Sequence, residues 1–256
     1  MKIIAIIPAR MQASRFPNKP LATIVGMPMI GHCWHRTRIT PGLLQSYIAT
    51  CDTAIVEYAD SIGAKAIMTA DTHVRATERT AEAMVKAESI LSGEVDAVLM
   101  VQGDEPLVSP RALERVINAL QDPTLEIVNL MERLDTEEEF RSVNNVKVVT
   151  NRLGDALYFS REAIPSPWKG LDRMAVYKQT GIIAFRREAL LRFIKCPETA
   201  LEQHESVDMN RVLENGGKIR MVLSDERTVG VDTPNDLANA EALMKRDPLF
   251  RVYAEQ

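Results

Sequence analysis

Ile3-Ile4-Ala5-Ile6-Ile7-Pro8-Ala9-Arg10-Met11-Gln12-Ala13-Ser14-Arg15-Phe16-Pro17-Asn18-Lys19-Pro20 carries the reading of the fold. Its first five residues are apolar without alternation, as a strand covered on both faces requires. Beyond it, short apolar runs alternate with longer amphipathic ones. The pattern predicts helices over 29–38, 53–62 and 80–91, and strands over 47–50, 65–68 and 96–101. Gly63 supplies a left-handed cap to the second of these helices. Ser109-Pro110 opens another helix, with Ser as N-cap and Pro at its first position, and Leu113, Val116, Ile117 and Leu120 follow at helical spacing. This β-α-β-α-β-α order predicts an α/β protein with a mostly parallel central sheet and helices on both faces.

The middle of the chain reads differently. Runs at 146–150 and 156–160 flank Asn151-Arg152-Leu153-Gly154-Asp155, a hairpin signal. The Pro-rich Ile164-Pro165-Ser166-Pro167-Trp168 and a strand near 180–185 follow. We read 140–200 as a strand-rich insertion within a single domain covering 1–256. Two helices, a Gly216-Gly217 turn, a strand over 219–223 and a last helix from Pro234 complete the pattern. Thr233 and Asp236 fit a capping box on that helix.

Composition narrows the function classes. The 256 residues are 46% hydrophobic and 26% charged, ordinary values for a globular chain, with a net charge of −4. A protein that binds nucleic acid through bulk basic charge is disfavoured. Cys33, Cys51 and Cys196 form no CxxC pair, and their odd number argues against a disulfide framework. No apolar run approaches the roughly 18 residues that cross a bilayer. The first seven residues superficially suggest a signal peptide, but Pro8 and Arg10 interrupt it. The expectation is a cytoplasmic protein without membrane insertion.

Three motifs carry chemistry. Arg10, Arg15 and Lys19 lie just beyond the carboxyl end of the first strand, where open α/β sheets bind ligands. Three cations there suit a polyphosphate. GxGxxG and GxxxxGK[ST] are both absent, which disfavours a dinucleotide dehydrogenase or a P-loop NTPase. Val101-Gln102-Gly103-Asp104-Glu105-Pro106 ends the fourth strand; Asp104 is placed to hold Mg²⁺, and Gly103 to let a ligand approach the backbone, although a turn alone would use the same residues. In Val231-Asp232-Thr233-Pro234, the helix start explains Thr233 and Pro234 but not Asp232. Asp104 and Asp232 form a Mg²⁺ pair if their strands are neighbours. His32 and His35, on a predicted helix, read as structural or surface groups, and Glu137-Glu138-Glu139 as an exposed first helical turn.

These motifs in this order resemble the 3-deoxy-manno-octulosonate (Kdo) cytidylyltransferase family, also called CMP-Kdo synthetases. The resemblance also includes Thr77-Glu78-Arg79, Val146-Lys147-Val148-Val149, Ala156-Leu157-Tyr158-Phe159-Ser160-Arg161 and Val231-Asp232-Thr233-Pro234. It implies a Rossmann-like nucleotide-diphospho-sugar transferase fold, a homodimer packed through the strand-rich insertion, and Mg²⁺. It also implies lipopolysaccharide biosynthesis by joining CMP from CTP to an acidic sugar, with release of pyrophosphate. Carried over, Arg10 and Lys19 match triphosphate contacts, with Arg15 beside them, and Asp104 and Asp232 match the Mg²⁺ ligands. Arg75 and Thr77 fall in the nucleotide loop, Gln102 near the sugar acid, and Arg161 at a carboxylate-binding arginine.

The chain departs from the family pattern at three places. His-x-Ser-Gly-Thr is here His73-Val74-Arg75-Ala76-Thr77, Tyr-Lys-His-x-Gly is Tyr177-Lys178-Gln179-Thr180-Gly181, and Glu-Ser-Leu-Glu-Gln-Leu-Arg is Glu205-Ser206-Val207-Asp208-Met209-Asn210-Arg211. Gln179 and Asp208 thus stand at acceptor positions, and Met209 removes a polar partner for a substrate hydroxyl. The departures imply an acceptor that is Kdo or a related acid. A cytidylyltransferase for a different acidic acceptor and a non-catalytic nucleotide-binding homologue stay open.

Overall fold

The computed structural model describes residues 1–12, 16–170 and 174–254. In chain order the elements are β1 Ile3–Pro8, β2 Thr23–Ile24, β3 Met27–Pro28, α1 Met29–Arg38, β4 Gln45–Thr50, α2 Thr53–Ser61, β5 Lys65–Met68, α3 Ala76–Leu91, β6 Ala97–Val101 and α4 Pro110–Ala119. They continue as β7 Ile127–Leu134, α5 Glu137–Arg141, β8 Lys147–Thr150, β9 Ala156–Ser160, β10 Val176–Arg186, α6 Arg187–Lys195, α7 Ala200–Glu205, α8 Met209–Glu214, β11 Arg220–Leu223, α9 Pro234–Met244 and α10 Pro248–Ala254. The chain divides into two compact units, Met1–Glu114 with Thr228–Gln256, and Arg115–Arg227. The strand-rich stretch expected at 140–200 lies inside the second unit.

In the first unit β1 is buried along its whole length, as its unbroken apolar run requires. It pairs in parallel with β4 on one side and β6 on the other, and β4 pairs in parallel with β5. The chain therefore leaves β1 in one direction for β4 and β5, then returns to lay β6 on the opposite side. This reversal opens a crevice at the carboxyl ends of β1 and β6. The chain is a mixed α/β protein whose parallel strands position that crevice.

α1 follows the expected span and buries nine of its ten residues, His32 and His35 among them, so both imidazoles belong to the interior. α3 starts at Ala76, a turn before the expected 80. Glu78 explains the earlier start, because its carboxylate accepts the backbone N–H groups of Val74 and Arg75, both at 3.2 Å. Arg75 occupies the N-cap, but a guanidinium has no acceptor, so only the Glu78 half of a capping box operates there.

In the second unit β11 pairs in parallel with β7, β7 antiparallel with β10, β10 with β8, and β8 with β9. The expected 146–160 hairpin forms, with Gly154 at φ 84°. The sequence reading passed over β7, whose apolar run is broken by Asn129 and Glu132, both buried. Asn129 donates to the carbonyls of Thr180 and Ile182, spanning the irregular register of β10 between Gln179 and Ile183, and Lys178 lies 3.4 Å from Glu132. Three helices, not two, lie between β10 and β11, and α10 adds a further helix after α9.

Candidate active site

A cleft of about 310 Å³ opens at the crevice of the first unit. Loops leaving β1 and β6 and the start of α3 supply most of its walls. The Gly103 N–H donates to the Pro8 carbonyl at 3.3 Å, drawing the two loops together. A Cβ on Gly103 would lie 2.9 Å from Ile30 Cδ1 and 3.0 Å from the Pro8 oxygen. Protein packing alone therefore favours glycine at 103, which also lines the cleft.

The two aspartates are brought together by backbone. The Val231 N–H donates to the Asp104 carbonyl at 2.9 Å, setting Asp232 beside Asp104. Lys19 then reaches between them, its Nζ 2.8 Å from Asp104 Oδ2 and 3.2 Å from Asp232 Oδ1. Burial works against the Lys19 charge, but the two carboxylates outweigh it and hold the ammonium above the usual lysine value. Thr233 caps α9 by accepting the Asp236 N–H, and Asp236 in return accepts the Asp232 and Thr233 N–H groups. The helix start therefore also fixes the backbone that presents Asp232.

Arginines also line the cleft. Arg10 and Arg75 border the cleft, and Arg10 Nη1 lies 3.5 Å from the His73 carbonyl. The loop carrying His73 and Arg75 is pinned by Glu82, which accepts the Ala70 N–H at 2.9 Å and lies 2.5 Å from His73 Nε2. Burial raises the Glu82 carboxyl, but Lys86, Ala70 and His73 together outweigh that and bring it down to about 2. Gln102 also lines the cleft.

Arg10, Lys19, Arg75, Gln102, Asp104 and Asp232 therefore meet in one place, as a polyanion with a divalent cation would require. Thr77 does not line the cleft; it is fully buried on α3, while its neighbours Ala76 and Arg79 do. Arg15 lies outside the described residues. Arg161, Gln179 and Asp208 belong to the second unit. Arg161 donates through Nε to the Glu205 carbonyl and through Nη1 to the Val143 carbonyl, at 2.8 and 2.9 Å. The Glu205 carboxylate accepts from Tyr158, Ser160 and the Arg161 N–H, which ties β9 to the corner leading to Asp208 at the N-cap of α8. Gln179 sits at the irregularity in β10, its Oε1 buried without a hydrogen-bond partner among the described residues.

Comparison with known proteins gives the architecture a family. The sequence model of the cytidylyltransferase family matches residues 4–219. A 3-deoxy-manno-octulosonate cytidylyltransferase from Geobacter metallireducens is 40% identical over 248 residues, 93% of this chain and 95% of the relative. The chain belongs to the 3-deoxy-manno-octulosonate cytidylyltransferase family. Another such relative, from Bacteroides thetaiotaomicron, is 38% identical over 96% of this chain and 99% of its own. The solved structure of CMP:2-keto-3-deoxy-manno-octonic acid synthetase complexed with CTP matches with a TM-score of 0.88 at 37% identity, covering 96% of this chain and 99% of that one. A 4-diphosphocytidyl-2C-methyl-D-erythritol synthase from Anaerococcus prevotii, 13% identical with a TM-score of 0.63, shares the fold alone.

As a cytidylyltransferase the protein is a nucleotidyltransferase, and among the cleft residues left out of the predicted site is a further arginine. Arg79 is 2% exposed and lines the cleft. Its Nη1 donates to Thr69 Oγ1 and the Ala70 carbonyl, while its buried Nη2 has no hydrogen-bond partner among the described residues. The signal was present: Arg79 follows Arg75 by four residues, one helical turn along the same face.

Proposed function

We propose that the protein transfers CMP from CTP to the anomeric hydroxyl of an acidic sugar, 3-deoxy-manno-octulosonate or a related acid, with Mg²⁺ and release of pyrophosphate. The observation that carries this reading is the convergence of Asp104 and Asp232 on the Lys19 ammonium in a cleft that Arg10, Arg75 and Arg79 also line. Likeness to relatives named for this reaction, and to a synthetase solved with CTP, supports it.

The donor set fits magnesium. Two carboxylates are close enough to share one cation, here the Lys19 ammonium that a metal would displace towards the phosphates. Among the described residues no cluster of three or more His, Cys, Asp or Glu offers a complete protein cage. Mg²⁺ commonly binds through one or two carboxylates and completes its shell with water and phosphate oxygens. Asp104 and Asp232 would hold it, and when bound it supplies charge neutralisation and polarisation at the phosphates.

The chain's own groups do the rest. Arg10, Arg15 and Lys19 bind the triphosphate and stabilise the charge that grows on the leaving pyrophosphate. Arg75 and Thr77 hold the nucleotide loop. Gln102 orients the acceptor at the cleft; on the second unit Arg161, Gln179 and Asp208 are the acceptor-binding candidates, Arg161 for a carboxylate. Three of the five Arg161 N–H groups are directed at carbonyls, so donor capacity is left for a carboxylate. The acceptor hydroxyl oxygen attacks the α-phosphorus, the bond to the β-phosphate oxygen breaks, pyrophosphate leaves with that electron pair, and the hydroxyl proton passes to water. Positioning and electrostatics suffice, without a covalent enzyme intermediate. We further propose that it works in the cytoplasm as a homodimer joined through the second unit; no helix among the described residues is long and apolar enough to cross a membrane.

Pyrophosphate release with CTP, Mg²⁺ and 3-deoxy-manno-octulosonate tests the reading. Turnover of roughly 1 per second or more is expected. Asp104→Asn is expected to lower kcat by about 10²-fold or more with an unchanged melting curve. Release only with another acidic acceptor would assign a related acid, and CTP binding without any release would overturn the catalytic assignment.

A further inference from the structure

The family model ends at residue 219, and α9 and α10 lie beyond it. Tyr253 on α10 is nevertheless 2% exposed. Its hydroxyl lies 2.8 Å from His32 Nδ1 and 3.2 Å from Arg36 Nε, both on α1. The other ring nitrogen of His32, Nε2, lies 2.8 Å from the Ile24 carbonyl. A carbonyl only accepts, so Nε2 carries the proton and Nδ1 is the acceptor. The Tyr253 hydroxyl then donates to His32 and accepts from Arg36. A directed path of hydrogen bonds runs from Arg36 through Tyr253 and His32 to Ile24. Arg36 is itself paired with Asp247, just before α10, and the Tyr253 ring stacks on His35 with centroids 5.1 Å apart.

Ile24 is close in sequence to the catalytic cation. Lys19–Leu21 forms a 3-10 turn, and β2 and β3 make a tight hairpin behind it through Val25 at φ 48° and Gly26 at φ 82°. The turn is closed by Leu21 N–H to the Asn18 carbonyl and Ala22 N–H to the Lys19 carbonyl, and Met29 N–H returns to the Ala22 carbonyl. His32 therefore grips the hairpin that carries the Lys19 turn. α9, which starts two residues after Asp232, packs Ala240 and Met244 into one apolar cluster with Ile24 and Met29. The same C-terminal pair of helices backs both the ammonium and one of its carboxylate partners.

We infer that Tyr253 is a positioning residue for the transfer reaction: through His32 it fixes the Lys19 turn, the backbone from which the ammonium reaches Asp104 and Asp232 here and the triphosphate in the reaction. The inference rests on the function proposed above. Misplacing a binding group by about 1 Å costs up to about 10²-fold in rate. A long lysine chain reaches its site reproducibly only if its backbone is fixed.

Tyr253→Phe keeps the ring and removes the hydroxyl. Phe250→Leu, on the same helix, disturbs packing against the same cluster and against the rings of His32 and Tyr253, but removes no hydrogen bond of the path. Both are compared as full-length protein by thermal melting, hydrogen exchange over residues 18–29, and CTP kinetics. Tyr253→Phe is expected to speed exchange at the Leu21, Ala22 and Met29 amides about tenfold. It should raise the KM for CTP about tenfold and leave the KM for the acceptor unchanged. Phe250→Leu should lower the melting temperature comparably and do neither. Unchanged exchange in Tyr253→Phe, or the same changes in both variants, would reduce Tyr253 to packing and overturn the inference. His32→Leu breaks the same path at its middle and must reproduce the exchange result, which covers a Tyr253→Phe too unstable to assay. If the wild-type protein releases no pyrophosphate with any acceptor, the proposed reaction fails, while the exchange measurement still decides the link.

Discussion

Asp104 and Asp232 illustrate what single residues disclose. Each stood out because its position, past a strand end or before a helix cap, left a carboxylate that local structure did not need. Their pairing required a backbone contact between segments more than a hundred residues apart, the Val231 N–H to the Asp104 carbonyl. Gly103 shows the converse. Its type was legible, but its packing role was not, because Ile30 and the Pro8 carbonyl come close only in the fold. Gly103→Ala is expected to destabilise the protein by about 1–3 kcal/mol, as overpacking does. It should also cut pyrophosphate release by more than that loss of folded protein explains, because the displaced loop carries Asp104. Urea unfolding with parallel activity measurement checks both; wild-type activity in a destabilised variant would show that Asp104 does not move with the loop.

Elements were most legible where one periodicity ran unbroken. α1, β5 and β9 coincide with the expected spans because packing and propensity agree there. β7 was illegible because Asn129 and Glu132 interrupt its apolar run, and their partners Thr180, Ile182 and Lys178 lie some fifty residues away. α1 also carries a pH dependence that the sequence did not announce. Burial first, then the charge of Arg36 for His32 and of Arg38 for His35, pushes both imidazoles down to about 4. In the unfolded chain they titrate near about 6.5. Between those values the unfolded state takes up protons that the folded state refuses, so stability falls as pH drops from about 6.5 to about 4. Glu82 and Glu139, brought down to about 2, act in a lower window and lose their contribution as pH falls from the usual carboxylate range towards 2. The melting temperature is therefore expected to decline from pH 7 to 4.5. His35→Phe, which keeps a ring against Tyr253, should flatten that decline; parallel profiles for the two proteins would exclude His35 as a source.

At the scale of the whole molecule, the second unit leaves Leu153, Leu157 and Trp168 exposed at 72%, 61% and 86%. Large exposed apolar side chains on one unit suit an interface. The proposed homodimer predicts a sedimentation mass of two chains at micromolar concentration, reduced to one by Leu157→Glu or Trp168→Glu. A wild-type mass of one chain would remove the dimer. By itself the sequence determined the α/β class, the parallel strands of the first unit, the hairpin of the second, the helix caps, and the residue types of the cleft proposed here to take a polyphosphate and a metal. Those features depend on neighbours a few residues apart, through periodicity, backbone angles and capping. Only the tertiary structure decided which cations and carboxylates meet, that Thr77 is buried while Arg79 lines the cleft, and that a tyrosine beyond the family match is joined through His32 to the Ile24 carbonyl. Such contacts join segments up to more than two hundred residues apart, and no local preference encodes them; they exist only once burial has brought the strands and helices together.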